Sequence, residues 1–515
     1  MRPRRGGHPR CLQTNIVTPP SNSERRGVSR GHSTRKGKGR TKQPPQYEWQ
    51  SEATSRWSVG KLESERKGGK GKRMSLLEET LNEANIQAAI KAVMDNKGAP
   101  GVDGMKTEEL PGVFASHGKE IAEAIRNRAY EPMPVRRKEI PKPSGGVRKL
   151  GIPTARDRVV QQAISQVLSP KADAFFSESS YGFRPNRSAQ MAIVRCLELF
   201  NDGYEWIVDI DLAKFFDNVP QDRLMSKVHL VANDGTIESL IRKFLKAGCV
   251  TSEGFEETEV GTPQGGPLSP LLSNIYLDEL DKELEARGLR FCRYADDVVI
   301  LLRSHIAARR VMKSVVSFIE RRMKLKVNAE KTKIVPPNGL TYLGYSFYRD
   351  GDSGKWRARV SEEKFVSLKA KVRTLTKRND PMTTQEMCKR LTRLLTGWIN
   401  YFQLADMKGR MEKLWQWVKG RIRAIIYKKW KKPKKREEAL LKCWEIRKRN
   451  ENLQGWKIPE WGMRSNARAM ANQGNHYAKI AKSSTFALFV SDYLLEKKGL
   501  LNPLKYYLER RKPSC

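Results

Sequence analysis

The sequence has few of the residues that build disulfide frameworks or zinc sites. Seven cysteines and six histidines are scattered over 515 residues, and no Cys-x-x-Cys pair occurs. Such spacing disfavours both kinds of site and fits a reducing compartment. The chain also contains no apolar run of membrane-spanning length and no signal-peptide pattern at its start. We therefore expect a cytoplasmic protein without a membrane partner.

Acidic residues are scarce relative to basic ones. The chain holds 57 Asp and Glu against 98 Lys and Arg, which gives a formal net charge of +41. A field of this size attracts polyanions, and nucleic acid is the polyanion that we expect. Because a ribosomal-type RNA binder would carry the same charge, the composition indicates a partner and leaves the reaction open.

The pattern along the chain divides it into four parts. Residues 1–73 are rich in Arg, Lys, Gly, Ser and Pro, so we expect a disordered basic extension. Residues 74–350 alternate helical patterns with short strands and lack βαβ regularity, which predicts an α+β domain. In residues 351–435 a capping box of Thr383 and Glu386 opens one helix, and Pro433 is expected to end the next. Residues 436–515 remain basic and predict a DNA-binding region.

Carboxylates at two strand ends form the pattern that indicates chemistry. Residues 206–210 alternate like a strand, and Asp211 follows where the pattern breaks. Further along, Asp296 and Asp297 lie at the tip of an apolar hairpin. An Asp-Asp pair alone is an ordinary turn between strands. Together with a second acidic strand end, it predicts three carboxylates at one edge of a sheet.

Carboxylates held this close repel one another unless a cation neutralises them. Mg²⁺ prefers hard oxygen ligands, and a pair of Mg²⁺ ions is the usual clamp for nucleotidyl transfer. We therefore predict a catalytic site for two Mg²⁺ ions, in which Asp211 and Asp296 bridge the ions and Asp297 lies more peripherally. Phe216, five residues after Asp211, either excludes a 2′-hydroxyl by bulk or is a core aromatic.

The order of the motifs resembles that of the reverse transcriptases, specifically the intron-encoded reverse transcriptase/maturase proteins of group II introns. The resemblance covers about residues 98–432. Besides the carboxylate motifs, it is carried by residues 97–104, 140–143, 145–153, 181–185, 261–270, 328–333, 342–345 and 397–402. It implies a right-hand polymerase, with fingers and a ferredoxin-like antiparallel palm in residues 74–350. A helical thumb/maturase domain in residues 351–435 and a small basic region in residues 436–515 would follow.

The resemblance also implies binding residues. The incoming nucleotide would be bound by Lys142, Arg148, Phe216, Gln264 and Lys331. The primer end would be gripped by Tyr342, Leu343, Gly344 and Tyr345. A basic helical face would bind structured RNA through Arg390, Arg393, Lys408, Arg410, Lys419, Arg421 and Arg423. A solvated basic turn at Lys142 and Arg148, and a plain surface lysine at Lys331, remain alternatives.

The implied function is an RNA-directed DNA polymerase and maturase that binds its group II intron RNA, assists splicing and copies the intron into DNA during retrohoming. Its partners would be intron RNA, target DNA, deoxynucleoside triphosphates and, as an open alternative, a second copy of the chain, in a bacterial cytoplasm. A splicing-only cofactor and a reverse transcriptase of a defence or retron-like system remain alternatives. Some family members add a C-terminal His-Asn-His nuclease with paired cysteines. With His476 and Cys515 alone near its end, this chain is expected to lack one.

Overall fold

The computed structural model describes residues 74–141, 147–451 and 458–511, so the predicted extension of residues 1–73 lies outside the described residues. The earlier helices are α1 Leu76–Leu81, α2 Glu83–Asp95, α3 Leu110–Arg126, α4 Ala155–Asp173, α5 Ala189–Asn201, α6 Phe215–Asn218, α7 Gln221–Ala232, α8 Gly235–Lys246, α9 Ser269–Ala286 and α10 His305–Ser317. The later helices are α11 Glu362–Leu375, α12 Thr384–Tyr401, α13 Lys408–Lys429, α14 Pro433–Asn450, α15 Glu460–Ala471, α16 Tyr477–Lys482, α17 Ser484–Phe489, α18 Asp492–Lys497 and α19 Pro503–Arg510. None of the helices in these described ranges has the length and apolar character needed to cross a membrane.

The strands form small, mostly antiparallel sheets. They are β1 Val135–Pro141, β2 Val147–Ile152, β3 Trp206–Asp211, β4 Cys249–Val250, β5 Phe255–Glu256, β6 Arg290–Tyr294, β7 Asp297–Leu302, β8 Lys333–Val335, β9 Thr341–Tyr342, β10 Tyr345–Arg349 and β11 Trp356–Val360. The sheet that positions the carboxylates, here called the central sheet, has the order β6-β7-β3-β8. Two further sheets have the orders β2-β1-β4-β5 and β11-β10-β9. This mixture of helices and sheets confirms the predicted α+β class.

The central sheet lies between two apolar cores, because alternate residues of a strand point to opposite faces. Ile207 and Val299 belong to a core that continues through β9–β11 into the C-terminal helices. Val208 belongs to a second core with α4, α7, α8 and α9. Asp211 lies four residues after Ile207 in β3, and Asp297 lies two residues before Val299 in β7, so each carboxylate is on the same face as that apolar residue. The two carboxylates therefore lie on the face that is directed toward the C-terminal helices.

The two main helices of the C-terminal part form as expected, but their ends differ. Thr383 caps α12 by accepting the amide hydrogen of Glu386. The Glu386 side chain bonds to Arg390 instead of returning to the cap, so only half of the predicted capping box forms. α13 ends at Lys429, and Pro433 is the first residue of α14. The helix therefore ends before Pro433, as expected, and Pro433 can begin α14 because proline at the first helical position gives up only an amide that has no helical partner.

The division of the chain into domains remains a prediction. β10 and β11 pair across the expected boundary at residue 350, with Tyr345 opposite Val360. α14 spans the expected boundary at residue 435, and its Leu440 lies in the same core as Leu395 of α12 and Ile422 of α13. The C-terminal helices thus pack on the helices that precede them.

Candidate active site

The predicted carboxylates meet at one end of the central sheet. In the antiparallel register of β3 and β7, Asp211 lies directly opposite Asp297. Asp296 occupies the turn between β6 and β7, one residue before Asp297. We name Asp211, Asp296 and Asp297 the acidic edge. Strand pairing brings the three together although 85 residues separate Asp211 from Asp296 along the chain.

Two carboxylates of the acidic edge, Asp296 and Asp297, have raised pKa values. Desolvation raises the pKa of Asp297 to about 6, and repulsion, chiefly from Asp296, adds to the shift. Desolvation and repulsion from Asp211 also raise the pKa of Asp296, against the attraction of Arg148. Among the described residues, neither Asp296 nor Asp297 forms an ion pair. Asp296 and Asp297 therefore hold negative charge that no cation of the described residues pairs with.

A fourth carboxylate, Asp209, lies behind the acidic edge and is not among the residues predicted from the sequence. It precedes Asp211 by two residues on the same face of β3 and is paired with Lys333 of β8. Lys333 Nζ lies 3.9 Å from Asp209 Oδ2. Desolvation raises the pKa of Asp209 to about 6, an effect that Lys333 opposes and Asp211 reinforces. The Asp-Ile-Asp alternation is the signal, since a period of two puts both carboxylates on one face.

Lys331 lies at the acidic edge, in the loop before β8. Its Nζ is 3.5 Å from Asp211 Oδ2, and its side chain is 66% exposed. The loop is tied to β3, because the Asn328 amide donates to the Asp211 carbonyl at 2.8 Å. The Asp211 amide in turn donates to the Thr332 hydroxyl at 3.3 Å. Lys331 thus brings one positive charge to an edge that carries three carboxylates.

The acidic edge fits a divalent cation in its donor chemistry. Carboxylate oxygens are the ligands that Mg²⁺ prefers, and crowded carboxylates are stabilised by a shared cation. Within the described ranges, no three His, Cys, Asp or Glu side chains are already arranged to hold one metal ion. Ligation would therefore require the Asp side chains to turn toward a common point. Asp211 and Asp296 are half-buried and Asp297 is exposed, so they have room to do so.

A chain of hydrogen bonds joins the β1–β2 hairpin to the short helix α6. Arg148 of β2 donates from Nε to Gln264 Oε1 at 3.3 Å, and Gln264 donates from Nε2 to Asp217 Oδ1 at 3.1 Å. The Gly151 amide also donates to the Gln264 carbonyl at 2.7 Å. Two residues predicted to bind the nucleotide therefore meet, held by Asp217, which was not predicted as a site residue. Lys142, the other predicted cation of this hairpin, lies outside the described residues.

Phe216 lies beside Asp217 in the one-turn helix α6. Its ring is half-buried and packs edge-on against Phe215, with 5.2 Å between the ring centroids. Gly261 allows the following loop to approach, since a Cβ there would lie 2.7 Å from the Phe216 carbonyl oxygen. The ring thus packs on the core with one side and is partly open to solvent, as a residue that excludes a sugar hydroxyl would need.

The predicted primer-grip residues form a two-residue turn between β9 and β10. Tyr342 pairs with Tyr345, and both central residues have positive φ, 51° at Leu343 and 82° at Gly344. This is the type I′ geometry that matches the twist of a hairpin. Tyr401 of α12 holds the turn, since its hydroxyl donates to the Leu343 carbonyl at 3.0 Å and its carbonyl accepts from the Tyr345 hydroxyl. The turn is therefore fixed by the helical part of the chain.

The basic residues predicted to bind RNA differ in burial. Lys419 and Arg423 are buried in α13, and both form ion pairs with Asp492, at 2.8 and 3.2 Å. The prediction that these two belong to an exposed face is wrong. α13 turns them toward α18, where they hold the helices together.

The other five basic residues reach solvent to different extents. Arg410 pairs with Glu362 at 3.0 Å, and Arg421 donates to the hydroxyl and carbonyl oxygens of Thr376 at 2.6 and 2.9 Å. The exposed members are Arg390, Arg393 and Lys408, of which Arg390 also pairs with Glu386 at 2.9 Å. We name these three the exposed basic face. They are the predicted residues best placed to contact a phosphate backbone.

Two family descriptions match the chain. Residues 140–347 match the reverse transcriptase (RNA-dependent DNA polymerase) family. Residues 366–444 match the group II intron, maturase-specific domain. The first match contains the acidic edge, and the second contains α12 and α13 with the exposed basic face.

Curated relatives agree with these matches. The chain is 33% identical over 323 residues to protein YkfC of Escherichia coli, covering 55% of this chain and 83% of that protein. It is 34% identical over 248 residues to the group II intron-encoded protein LtrA of Lactococcus lactis, covering 48% of this chain and 40% of LtrA. It is 29% identical over 295 residues to the putative COX1/OXI3 intron 2 protein of Saccharomyces cerevisiae, covering 46% and 34%. The chain thus spans less than half the length of the last two.

Solved structures are more distant. A partial Cas6-RT-Cas1–Cas2 complex is 27% identical, with a TM-score of 0.32 over 51% of this chain and 44% of that chain. An apo telomerase from Candida tropicalis is 18% identical, with a TM-score of 0.36 over 48% and 60%. The two family matches and the coverage of the Escherichia coli relative are decisive. This chain belongs to the group II intron-encoded reverse transcriptase/maturase family and carries its RNA-dependent DNA polymerase domain.

Proposed function

We propose that the protein binds a group II intron RNA, assists its splicing and copies it into DNA during retrohoming. The observation that carries the polymerase part is the acidic edge, where strand pairing sets Asp211 against Asp297 and the neighbouring Asp296 has a raised pKa. The edge lies inside the matched reverse transcriptase region. A site of this kind suits transfer of a nucleotidyl group to a primer.

The carboxylates would be the metal ligands. Asp211, Asp296 and Asp297 would hold two Mg²⁺ ions, which when bound activate the primer 3′-hydroxyl and neutralise the leaving pyrophosphate. The raised pKa values of Asp296 and Asp297 favour this role, since burial raises them and a bound cation would relieve the repulsion that adds to the shift. Lys331, already in contact with Asp211, would add positive charge where the pyrophosphate leaves.

The surrounding residues would bind and select the nucleotide. Arg148, whose charge already acts on Asp296, would bind the triphosphate with its forked guanidinium. Lys142 would supply a second cation from the same hairpin. Gln264 would contact the nascent base pair, and Phe216 would limit the space beside the sugar. The turn of residues 342–345 would hold the primer end.

The acidic edge also bears on the splicing-only alternative. A protein that only binds RNA gains nothing from carboxylates that repel one another, because their ionisation lowers the free energy of unfolding. The match to the maturase-specific domain favours the intron setting over a defence or retron-like one. Intron RNA would bind the exposed basic face, and target DNA would bind residues 436–515. We propose a bacterial cytoplasmic setting, which the five described free cysteines suit.

The function is tested with purified protein on a poly(rA) template with an oligo(dT) primer. We expect incorporation of dTMP with Mg²⁺ and none after chelation. Splicing of a candidate intron RNA is measured with the same protein. Faster splicing without any incorporation would contradict the polymerase and identify the splicing-only cofactor.

A further inference from the structure

A fully buried ion pair lies beneath the turn that carries Asp296. Arg293 of β6 and Asp281 of α9 both have no exposed side-chain surface. Arg293 Nε donates to Asp281 Oδ1 at 2.7 Å, and Nη2 donates to Oδ2 at 2.5 Å. The pair lies on the α9 side of the sheet, since Arg293 is paired with Val298, a residue of the core that includes α9. It is therefore on the face opposite Asp211 and Asp297.

Stability alone does not explain such a pair. Desolvating two ions costs free energy that their attraction recovers only in part. Apolar replacements of buried pairs are often neutral or stabilising. The informative contacts are those that the pair makes with the rest of the molecule, because an apolar substitute would not make them.

The third guanidinium nitrogen of Arg293 bonds to the turn that carries Asp296. Nη1 donates to the carbonyl oxygen of Ala295 at 3.0 Å. Ala295 has a φ of 57°, in the left-handed region that residues with a Cβ seldom adopt. The carbonyl belongs to the peptide that joins Ala295 to Asp296. Holding it therefore fixes the backbone from which the Asp296 carboxylate projects.

Asn274 ties the same guanidinium to a neighbouring segment. Its Oδ1 accepts from Arg293 Nη1 at 2.9 Å, and its Nδ2 donates to the Gly182 carbonyl at 2.9 Å. Gly182 packs directly under the turn, since a Cβ there would lie 2.2 Å from the Ala295 nitrogen. The Arg293 carbonyl also accepts the Tyr181 amide at 2.8 Å. The network thus joins α9, the segment around Gly182 and the turn in one set of contacts.

We propose that Arg293, oriented by Asp281 and Asn274, is a positioning residue that holds the Asp296 carboxylate within reach of the cation that Asp211 binds. The inference rests on the proposed polymerase function. Arg293 itself touches neither the substrate nor the metal. It acts through the Ala295 carbonyl, and its loss would loosen a ligand without removing one.

The test uses Arg293→Lys, which keeps the charge beside Asp281 but loses the forked donors to Ala295 and Asn274. The matched control is Arg436→Lys in α14. Arg436 is 4% exposed and donates to the carbonyls of Trp430 and Gly474 at 2.7 and 3.1 Å. Both variants lose hydrogen bonds from a buried arginine, and both are expected to lower the melting temperature.

Two readouts separate positioning from a purely structural role. The first is Mn²⁺ binding to the protein, followed by the electron paramagnetic resonance signal of the free ion. The second is the Mg²⁺ concentration for half-maximal primer extension. Arg293→Lys is expected to weaken Mn²⁺ binding and raise the Mg²⁺ requirement about 10-fold or more, and Arg436→Lys to change neither. A lower melting temperature with unchanged values of both would overturn the proposal.

A second variant keeps the test decisive if Arg293→Lys does not fold. Asn274→Leu leaves the ion pair intact and removes the bridge to Gly182. It is expected to shift both metal readouts in the same direction by a smaller factor, and unchanged values overturn the proposal. If the wild-type protein binds Mn²⁺ but extends no primer, the polymerase function fails. The Mn²⁺ comparison between variants still decides whether Arg293 positions the ligand.

Discussion

The acidic edge and the ion pairs of Asp492 with Lys419 and Arg423 differ in whether the charged side chains have a counterion within the protein. At the edge, Asp296 and Asp297 are crowded together without an ion pair in the described part of the chain. In α13, Lys419 and Arg423 are buried but share Asp492 as a counterion. Lys419 and Arg423 thus have a counterion within the protein, whereas Asp296 and Asp297 remain available to a metal or substrate.

The substitution Asp296→Asn changes the acidic edge and is expected to have the largest effect of these variants, a loss of dTMP incorporation. It removes an anionic ligand with little change in shape. We expect dTMP incorporation to fall on the order of 10³-fold or more, several kcal/mol of transition-state stabilisation. The melting temperature should not fall, because repulsion at the edge is relieved. Primer extension and thermal unfolding check both points, and near-wild-type incorporation would refute the metal assignment.

Charge reversal of the exposed basic face tests whether cations that reach solvent, unlike the buried Lys419 and Arg423, bind RNA. Replacing Arg390, Arg393 and Lys408 by Glu should weaken intron RNA binding. It should also reduce the slope of log Kd against log salt by about one for each phosphate that is left without its cationic partner. Filter binding at several salt concentrations measures this. The control reverses Arg309, Arg310 and Lys313 to Glu, which changes the net charge equally at three exposed positions of α10. If the triple variant binds like the control, the RNA site lies elsewhere.

Removal of Asp492, the counterion that Lys419 and Arg423 share, tests whether these ion pairs stabilise the fold. Asp492→Asn leaves Lys419 and Arg423 buried without a negative partner. We expect a loss of about 1–3 kcal/mol in the free energy of unfolding, measured by urea denaturation, and unchanged incorporation per folded molecule. Asp352→Asn in an exposed loop is the control. An incorporation defect without a stability loss would reverse the roles assigned to the two regions.

The size of the space beside the acidic edge is tested by Phe216→Val. If the ring excludes a 2′-hydroxyl, the smaller side chain should reduce discrimination between dTTP and UTP by about 10-fold. Single-nucleotide incorporation with each substrate gives the ratio. An unaltered ratio would return Phe216 to the core as a packing residue.

The smallest expected effect is a pH-dependent gain of stability in Asp297→Asn. The folded pKa of about 6 lies above the ordinary 3.8, so the folded state holds this proton more tightly than the unfolded chain. The carboxyl therefore favours folding at low pH and costs stability as pH rises through about 6. Because the side chain is exposed, we expect a gain of only about 1 kcal/mol at neutral pH and less near pH 4. An equal gain at both pH values would contradict the shift.

The acidic edge could be predicted from the sequence because its information is local. The alternation of residues 206–210 marks a strand, the apolar runs around Asp296 mark a hairpin, and Asp211 falls at a strand end. The structure pairs these elements in one sheet. The Asp209 carboxylate follows from the same period of two and could have been predicted with it.

The remaining features depend on partners far apart along the chain. Lys419 and Arg423 look like surface residues in a helix rich in cations. Their burial depends on Asp492, about seventy residues later. The Asp281–Arg293 pair is closer along the chain, at 12 residues apart, but it too joins two different elements, the helix α9 and the strand β6. No periodicity encodes which cation meets which carboxylate, so tertiary packing decides these roles.

The most direct test is the rate of dTMP incorporation per folded molecule, measured side by side for wild type, Asp296→Asn and Asp492→Asn. The account predicts that Asp296→Asn loses incorporation while remaining folded, and that Asp492→Asn keeps the wild-type rate in its smaller folded fraction. An active Asp296→Asn protein would contradict the claim that the acidic edge is the polymerase site.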